Sequence, residues 1–217
     1  MRGLIEKDLR LTLQRKQTIV VFVVMALFLA ISGSGTFAVT YFTMLAGIVA
    51  IGTLSYDEFD NGLEFLMTLP IDRKMYIREK YIFALSASTV AWCISIIIYY
   101  VCELTRGSAA IVTEEFPFLF VILPSMASFA TIIIPLQLKF GAEKGRVALF
   151  VIFGCIAVLI IAVKKLFITS EADTVSLING LQGIPMGTVI CVILALCVLV
   201  GFISYFCSIR IMEKKEL

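Results

Sequence analysis

Residues 55–81 read SYDEFDNGLEFLMTLPIDRKMYIREKY. Ten of these 27 side chains are charged, in a chain that is 60% hydrophobic and only 16% charged. Such a segment cannot lie in hydrocarbon, and the long apolar runs on either side of it cannot remain in water. The spacing within it predicts a short amphipathic helix over 57–69, with Phe59, Leu63 and Leu66 on one face and Asp57, Asp60, Asn61 and Glu64 on the other. Its early acids suit the positive end of a helix dipole. Pro70 breaks that helix, and Asp72 is placed to cap a second one whose first turns carry Arg73, Lys74 and Arg78. The competing reading is an ordinary solvated loop between two membrane spans.

Outward from this island, the composition sets the class. A mean hydropathy of +1.03 is far above that of soluble domains. The expected fold is an all-α polytopic membrane protein with a single transmembrane domain over 1–217. With no histidine, neither an HExxH zinc site nor a Ser-His pair can be built. The six cysteines all fall in apolar runs at irregular spacing and read as packing residues, so no metal is expected. No basic patch interleaves with aromatics, which argues against nucleic acid. The nucleotide-loop pattern GxxxxGK[ST] is absent, and GAEKGR at 141–146 reads as a basic turn. The apolar runs hold almost no charge; Glu103 with Arg106 and Gln137 sit at their boundaries. The chain is therefore not expected to be an enzyme, and any uphill transport must draw its energy from elsewhere.

Residues 1–17 alternate charge and leucine, with Leu4, Ile5, Leu9 and Leu13 toward one side, and predict a helix lying on the membrane surface. Residues 19–54 are almost continuously apolar, and the SGSGT run at 32–36 divides them into spans at 18–32 and 37–54. A cleaved signal peptide competes for the first span, but the long amphipathic leader containing Glu6 and Asp8 argues against it. Four more spans are expected at 82–104, 116–138, 147–163 and 186–209, the fourth span bent by Pro117, Pro124 and Pro135. On this six-span layout fifteen Lys and Arg residues lie on the face that holds both termini and only three on the other, which makes the first face cytoplasmic. The external segment 164–185 carries an apolar helical pattern (Val175, Leu177, Ile178, Leu181). It reads equally as a re-entrant or a surface helix over 170–182.

The island also carries a resemblance. An acidic helix followed by LPIDRKMYIREKY is similar to the small permease subunits of bacterial ABC-2 type transporters, whose loops often read LP-[IVL]-[ST]-R-…-K-Y here. Leu69, Pro70, Arg73, Lys80 and Tyr81 match, and Asp72 replaces the usual Ser or Thr. In size and lack of soluble domains the chain most resembles the permeases that export phenol-soluble modulin peptides. The resemblance implies that the island's first helix is a coupling helix docking into a separately encoded ATPase, with Asp57, Glu58, Asp60, Glu64, Phe65, Met67 and Thr68 as the contact residues. It further implies two permease copies, as a homodimer or a heterodimer, and two ATPases that hold the ATP and magnesium; the permease itself needs no cofactor. Small residues Gly47, Ala50 and Gly52 in the second span would permit close helix approach.

Two functions follow as expectations. One is the transmembrane subunit of an ATP-driven exporter in the bacterial cell membrane, for amphipathic peptide or lipid-like cargo. The other is a membrane accessory or immunity protein that binds a partner without transport. Dependence of activity on an ATPase separates them.

Overall fold

The computed structural model describes residues 1–33, 35–58, 62–107, 109–167 and 186–215. Among these residues there are seven helices and no strand: α1 (Arg2–Gln14), α2 (Lys16–Ile31), α3 (Gly35–Glu58), α4 (Gly62–Thr68), α5 (Arg73–Thr105), α6 (Ala109–Phe167) and α7 (Met186–Lys214). The chain is an all-α polytopic membrane protein. Among the described residues four stretches are long and apolar enough to cross a bilayer alone: α3, α5, Glu115–Gly141 of α6 and Gly187–Lys214 of α7. The expected first span falls on α2, whose 16 residues reach only about 24 Å, less than a bilayer core. It meets α1 at 72°, the bend falling at Arg15. The expected element at 170–182 lies outside the described residues.

Three glycines of the described residues take positive φ, Gly33, Gly107 and Gly141. Gly33 (φ 86°) turns the chain between α2 and α3, inside the SGSGT run. Gly141 breaks α6 with φ 79° and ψ 168°, a region open only to glycine. Just beyond it a Cβ on Gly145 would stand 3.3 Å from the Gln137 Cα, so the chain doubles back closely there. The helix continues through all three prolines of α6, and the residue with non-helical φ and ψ is Gly141 instead. The carbonyl that Pro135 leaves without an intrahelical donor is that of Thr131, and Ser204 of α7 donates to it.

Hydrocarbon is no poorer a solvent for Leu than a neighbouring helix is, so close packing and interhelical hydrogen bonds must hold these helices together. At one end Val39, Tyr99 and Leu119 pack together, and Trp92 donates from Nε1 to the Leu119 carbonyl at 2.8 Å. Gly35 lies directly beneath the Tyr99 ring, where an added Cβ would fall 1.8 Å from the ring carbon. Tyr99 and Thr36 both donate to Glu115, while Arg106 pairs with Glu103 at 2.9 Å and caps the α2 carbonyls of Ala30 and Ile31. Midway, Gly47 admits Ser88, whose Oγ would lie 3.1 Å from a Cβ there, whereas Gly52 faces open space.

At the island end the larger core gathers Leu4, Leu54, Leu63, Leu66, Tyr76, Ile77, Ile133, Leu138 and Met212 from six helices. Two expectations are corrected here. The face of α1 turned to the bundle carries Leu4 and Asp8, both buried, whereas Leu9 and Leu13 are exposed. The helix expected over 57–69 is two elements, because α3 runs on to Glu58 and α4 starts at Gly62. Asp57 finds cations inside the bundle, and this holds the last turn of α3 in place.

Candidate functional site

Five charged side chains from three helices converge at the base of α5. Lys80, with 3% of its side chain exposed, contacts Asp8 of α1 and stands 2.8 Å from Asp57 of α3. Lys7 reaches Asp57 Oδ1 at 2.5 Å and Asp8 at 3.2 Å. Thr53 Oγ1 donates to Asp8 at 2.9 Å, and the Tyr76 hydroxyl donates to Asp57 at 3.0 Å. Burial disfavours the charged form of Lys7, but the hydrogen bond and charge of Asp57, with Asp8 beside it, outweigh this and raise its pKa. Glu79 is fully buried 3.9 Å from Lys80, and among the described residues neither of its oxygens has a hydrogen-bond partner. Three carboxylates therefore face two ammonium groups. Removing one partner from so dry a cluster strands a buried charge, which costs about 3–5 kcal/mol.

The next residue extends the network across the bundle. Tyr81 is 2.6 Å from Ser204 Oγ and 2.8 Å from Ser208 Oγ. Ser204 spends its only hydrogen on the Thr131 carbonyl. Tyr81 must then donate to Ser204 and accept from Ser208. A chain of hydrogen bonds thus runs from α5 through α7 to the carbonyl freed by Pro135 in α6. About two turns before the charged cluster, Arg73 donates to the carbonyls of Met212, Glu213 and Lys215 at 2.8, 3.1 and 3.1 Å, closing the C-terminal end of α7. Lys74 adds an ion pair to Glu213 at 3.4 Å.

Between α3 and α5 stands α4, seven residues long. Leu63 and Leu66 point into the core, while Glu64, Phe65 and Thr68 face outward, with Phe65 67% exposed. Pro70 follows its end, and Asp72 takes the N-cap position of α5 in extended conformation, without a side-chain capping bond.

A family model described as an ABC-2 family transporter protein matches residues 3–213. The chain belongs to the ABC-2 transporter family. As such a permease it is the membrane component of an ABC transporter, a component generally not catalytic itself and generally paired with an ABC ATPase. No curated protein and no solved structure matches the chain.

In the permease the residues expected to dock an ATPase divide. Glu64, Phe65 and Thr68 share the exposed side of α4. Met67 is half-buried and packs against the core. Asp57 is not in this helix and is 5% exposed, committed to Lys7, Lys80 and Tyr76. Glu58 likewise ends α3 and holds Lys215 of the C-terminal tail at 3.4 Å. Asp60 lies outside the described residues. The matched motif residues are mostly internal fasteners: Arg73 closes α7, Lys80 joins α1 and α3 to α5, and Tyr81 joins α5 to α7. Leu69 and Pro70 form the exposed corner. Asp8 and Lys7 were missed as site residues. On the sequence they sit in an alternating amphipathic run, and nothing local distinguishes a charge that turns inward.

Proposed function

We propose that this permease is the transmembrane half of an ATP-driven exporter and that α4 is its docking rod for a separately encoded ATPase. The observation that carries the reading is the two-sided character of α4. Leu63 and Leu66 fix it to the bundle while Phe65 and Glu64 stand out beside it. A solvated loop has no need of a large exposed aromatic on a rigid helix, whereas a buried aromatic anchor is the usual centre of a protein interface. The complex holds two permeases and two ATPases, since each bundle supplies one rod, and the ATPases carry ATP and magnesium. The preponderance of Lys and Arg at the island end makes that end, with both termini, cytoplasmic in a bacterial cell membrane.

Amphipathic peptide or lipid-like molecules are the cargo. An open groove of about 570 Å³ lies between α5, α6 and α7, walled by Leu85, Phe120, Pro124, Val198, Phe202 and Tyr205. Such walls suit a cargo with an apolar face, and none of the lining side chains is charged. This agrees with the resemblance to modulin-peptide exporters.

Docking is tested with Phe65→Ser and Glu64→Lys, both exposed and expected to leave the fold intact. Each should abolish co-purification of the partner ATPase and its stimulation by permease in proteoliposomes. Unchanged complex yield and unchanged stimulation overturn the docking role. For cargo, ATPase activity of the reconstituted complex should rise with amphipathic helical peptides and stay flat with scrambled peptides of the same composition. A response only to a sugar or small cation overturns the cargo class. Cysteines placed at Asn61 and Glu143 should resist impermeant thiol reagents in intact cells while one at Ser170 reacts, which tests the orientation.

A further inference from the structure

Beside Lys139, just before the Gly141 break in α6, the surface of α7 changes character along a single face. Val192, Leu196, Leu199 and Ile203 follow one another at helical spacing, each more than half exposed. The same face continues into Cys207, Arg210 and Lys214, all exposed. At that end α6 and α7 enclose a recess of about 520 Å³, with Leu138, Cys207 and Ile211 as its apolar floor and Lys139, Arg210 and Lys214 around its rim. Lys215 also borders it but is already engaged by Glu58 and the Leu138 carbonyl, each at 3.4 Å. Among the described residues none of the three rim cations has a carboxylate partner, and Lys139 lies 5.2 Å from the centre of the Phe140 ring.

We infer that this recess binds the headgroup of an anionic phospholipid whose acyl chain runs along the exposed face of α7. A cationic rim joined to an apolar strip calls for a ligand with both a negative head and a hydrocarbon tail. An acidic protein surface would satisfy the rim and leave the strip uncovered; a zwitterionic lipid would cover the strip and leave three positive charges facing one another. The strip from Val192 to Cys207 rises about 22 Å, enough for one full acyl chain. Basic recesses between transmembrane helices at a cytoplasmic surface are suited to anionic headgroups, each Lys or Arg near such a surface contributing roughly a fivefold factor in affinity. That the leaflet is the inner one rests on the proposed orientation, whereas the binding itself does not.

The test uses purified permease without ATPase, in detergent micelles containing equal amounts of phosphatidylglycerol and phosphatidylcholine with identical chains. Retained lipids are counted by native mass spectrometry. Wild type should retain phosphatidylglycerol in preference, and the triple variant Lys139→Ala, Arg210→Ala, Lys214→Ala should lose that preference by about tenfold or more. A variant with Lys139→Arg and Lys214→Arg should keep it, which separates loss of charge from loss of fold. Equal retention of the two lipids by wild type, or an undiminished preference in the triple variant, overturns the inference. Displacement of the lipid by glycerol phosphate at equal concentration also overturns it, because the site would then read phosphate alone. If the triple variant keeps its lipid preference and, in a separate co-purification, fails to assemble with the ATPase, the lipid inference is overturned and the recess is a protein contact instead. Failure of the lipid result leaves docking by α4 untouched, since no ATPase is present in the measurement.

Discussion

Replacing Lys80 by Met keeps the length of the side chain and removes the more buried of the two cations, Lys80 and Lys7, that contact both Asp8 and Asp57. Those carboxylates are 0% and 5% exposed, so water cannot take over. Among the described residues only Lys7, with 29% of its side chain exposed, would remain for them. Stranding buried charge costs about 3–5 kcal/mol, a large share of a stability on the order of 5–15 kcal/mol. For a chain of this size about 2–4 °C of midpoint accompanies each kcal/mol. Thermal melts of the purified permease in micelles, read by gel filtration of the surviving protein, should therefore fall by roughly 6–20 °C. The diagnostic step is the double variant Lys80→Met with Asp57→Asn, which removes the surplus carboxylate while keeping an acceptor for the Tyr76 hydroxyl. Residues in one ion-pair network couple by about 0.5–3 kcal/mol. The double variant should accordingly be more stable than the sum of the two single losses requires, by at least about 1 kcal/mol. Additivity within about 0.5 kcal/mol would show that the cluster does not act as a unit and would refute the reasoning.

Four further outcomes are expected. Gly141→Ala should cost on the order of 1–3 kcal/mol, and Gly141→Asn should not rescue it, because φ 79° with ψ 168° is not the left-handed helical region that Asn tolerates; paired melts decide this. Gly35→Ala should displace the Tyr99 ring and destabilise the permease, and adding Tyr99→Ala should recover part of the loss, since the three atoms nearest the added Cβ all belong to that ring. Tyr81→Phe should lower stability by only about 1 kcal/mol, because Ser204 keeps its bond to the Thr131 carbonyl; a loss as large as that of Lys80→Met would contradict the assigned donor order. Arg73→Ala should loosen the end of α7, seen as greater mobility of a spin label at Lys214, while Arg73→Lys retains most of the order because one ammonium can still meet the α7 carbonyls.

Much of the fold was legible because hydropathy and helix punctuation act locally. The apolar runs, the stop at Pro70, the N-cap position of Asp72 and the turn at Gly33 each depend on neighbours in sequence. The supply of an outside donor to a proline-freed carbonyl in α6 was also foreseeable, although its source in Ser204 was not. Charges were harder to read. Asp57 looks like the first acid of a surface helix, yet its partners are Lys7 and Lys80, 50 and 23 positions away, and no periodicity reveals such pairs. Asp8 was hidden for the same reason, since its partners Thr53 and Lys80 are 45 and 72 positions away. One usable signal existed: Asp57 and Lys80 each lie within a turn of a long apolar run, where a charge is costly unless paired.

The fastening of α5 near its start has a mechanical consequence. A helix of 33 residues is about 50 Å long, and its Arg73, Tyr76, Lys80 and Tyr81 are tied to α1, α3 and α7 within its first nine residues. It is a lever with its fulcrum at one end. A tilt of about 5° there sweeps the opposite end, where Arg106 holds the α2 carbonyls, through roughly 4 Å, more than the reach of a hydrogen bond. A displacement at the base too small to disturb the local packing is thus large enough, at the far side of the bilayer, to break or remake the hold of Arg106 on α2.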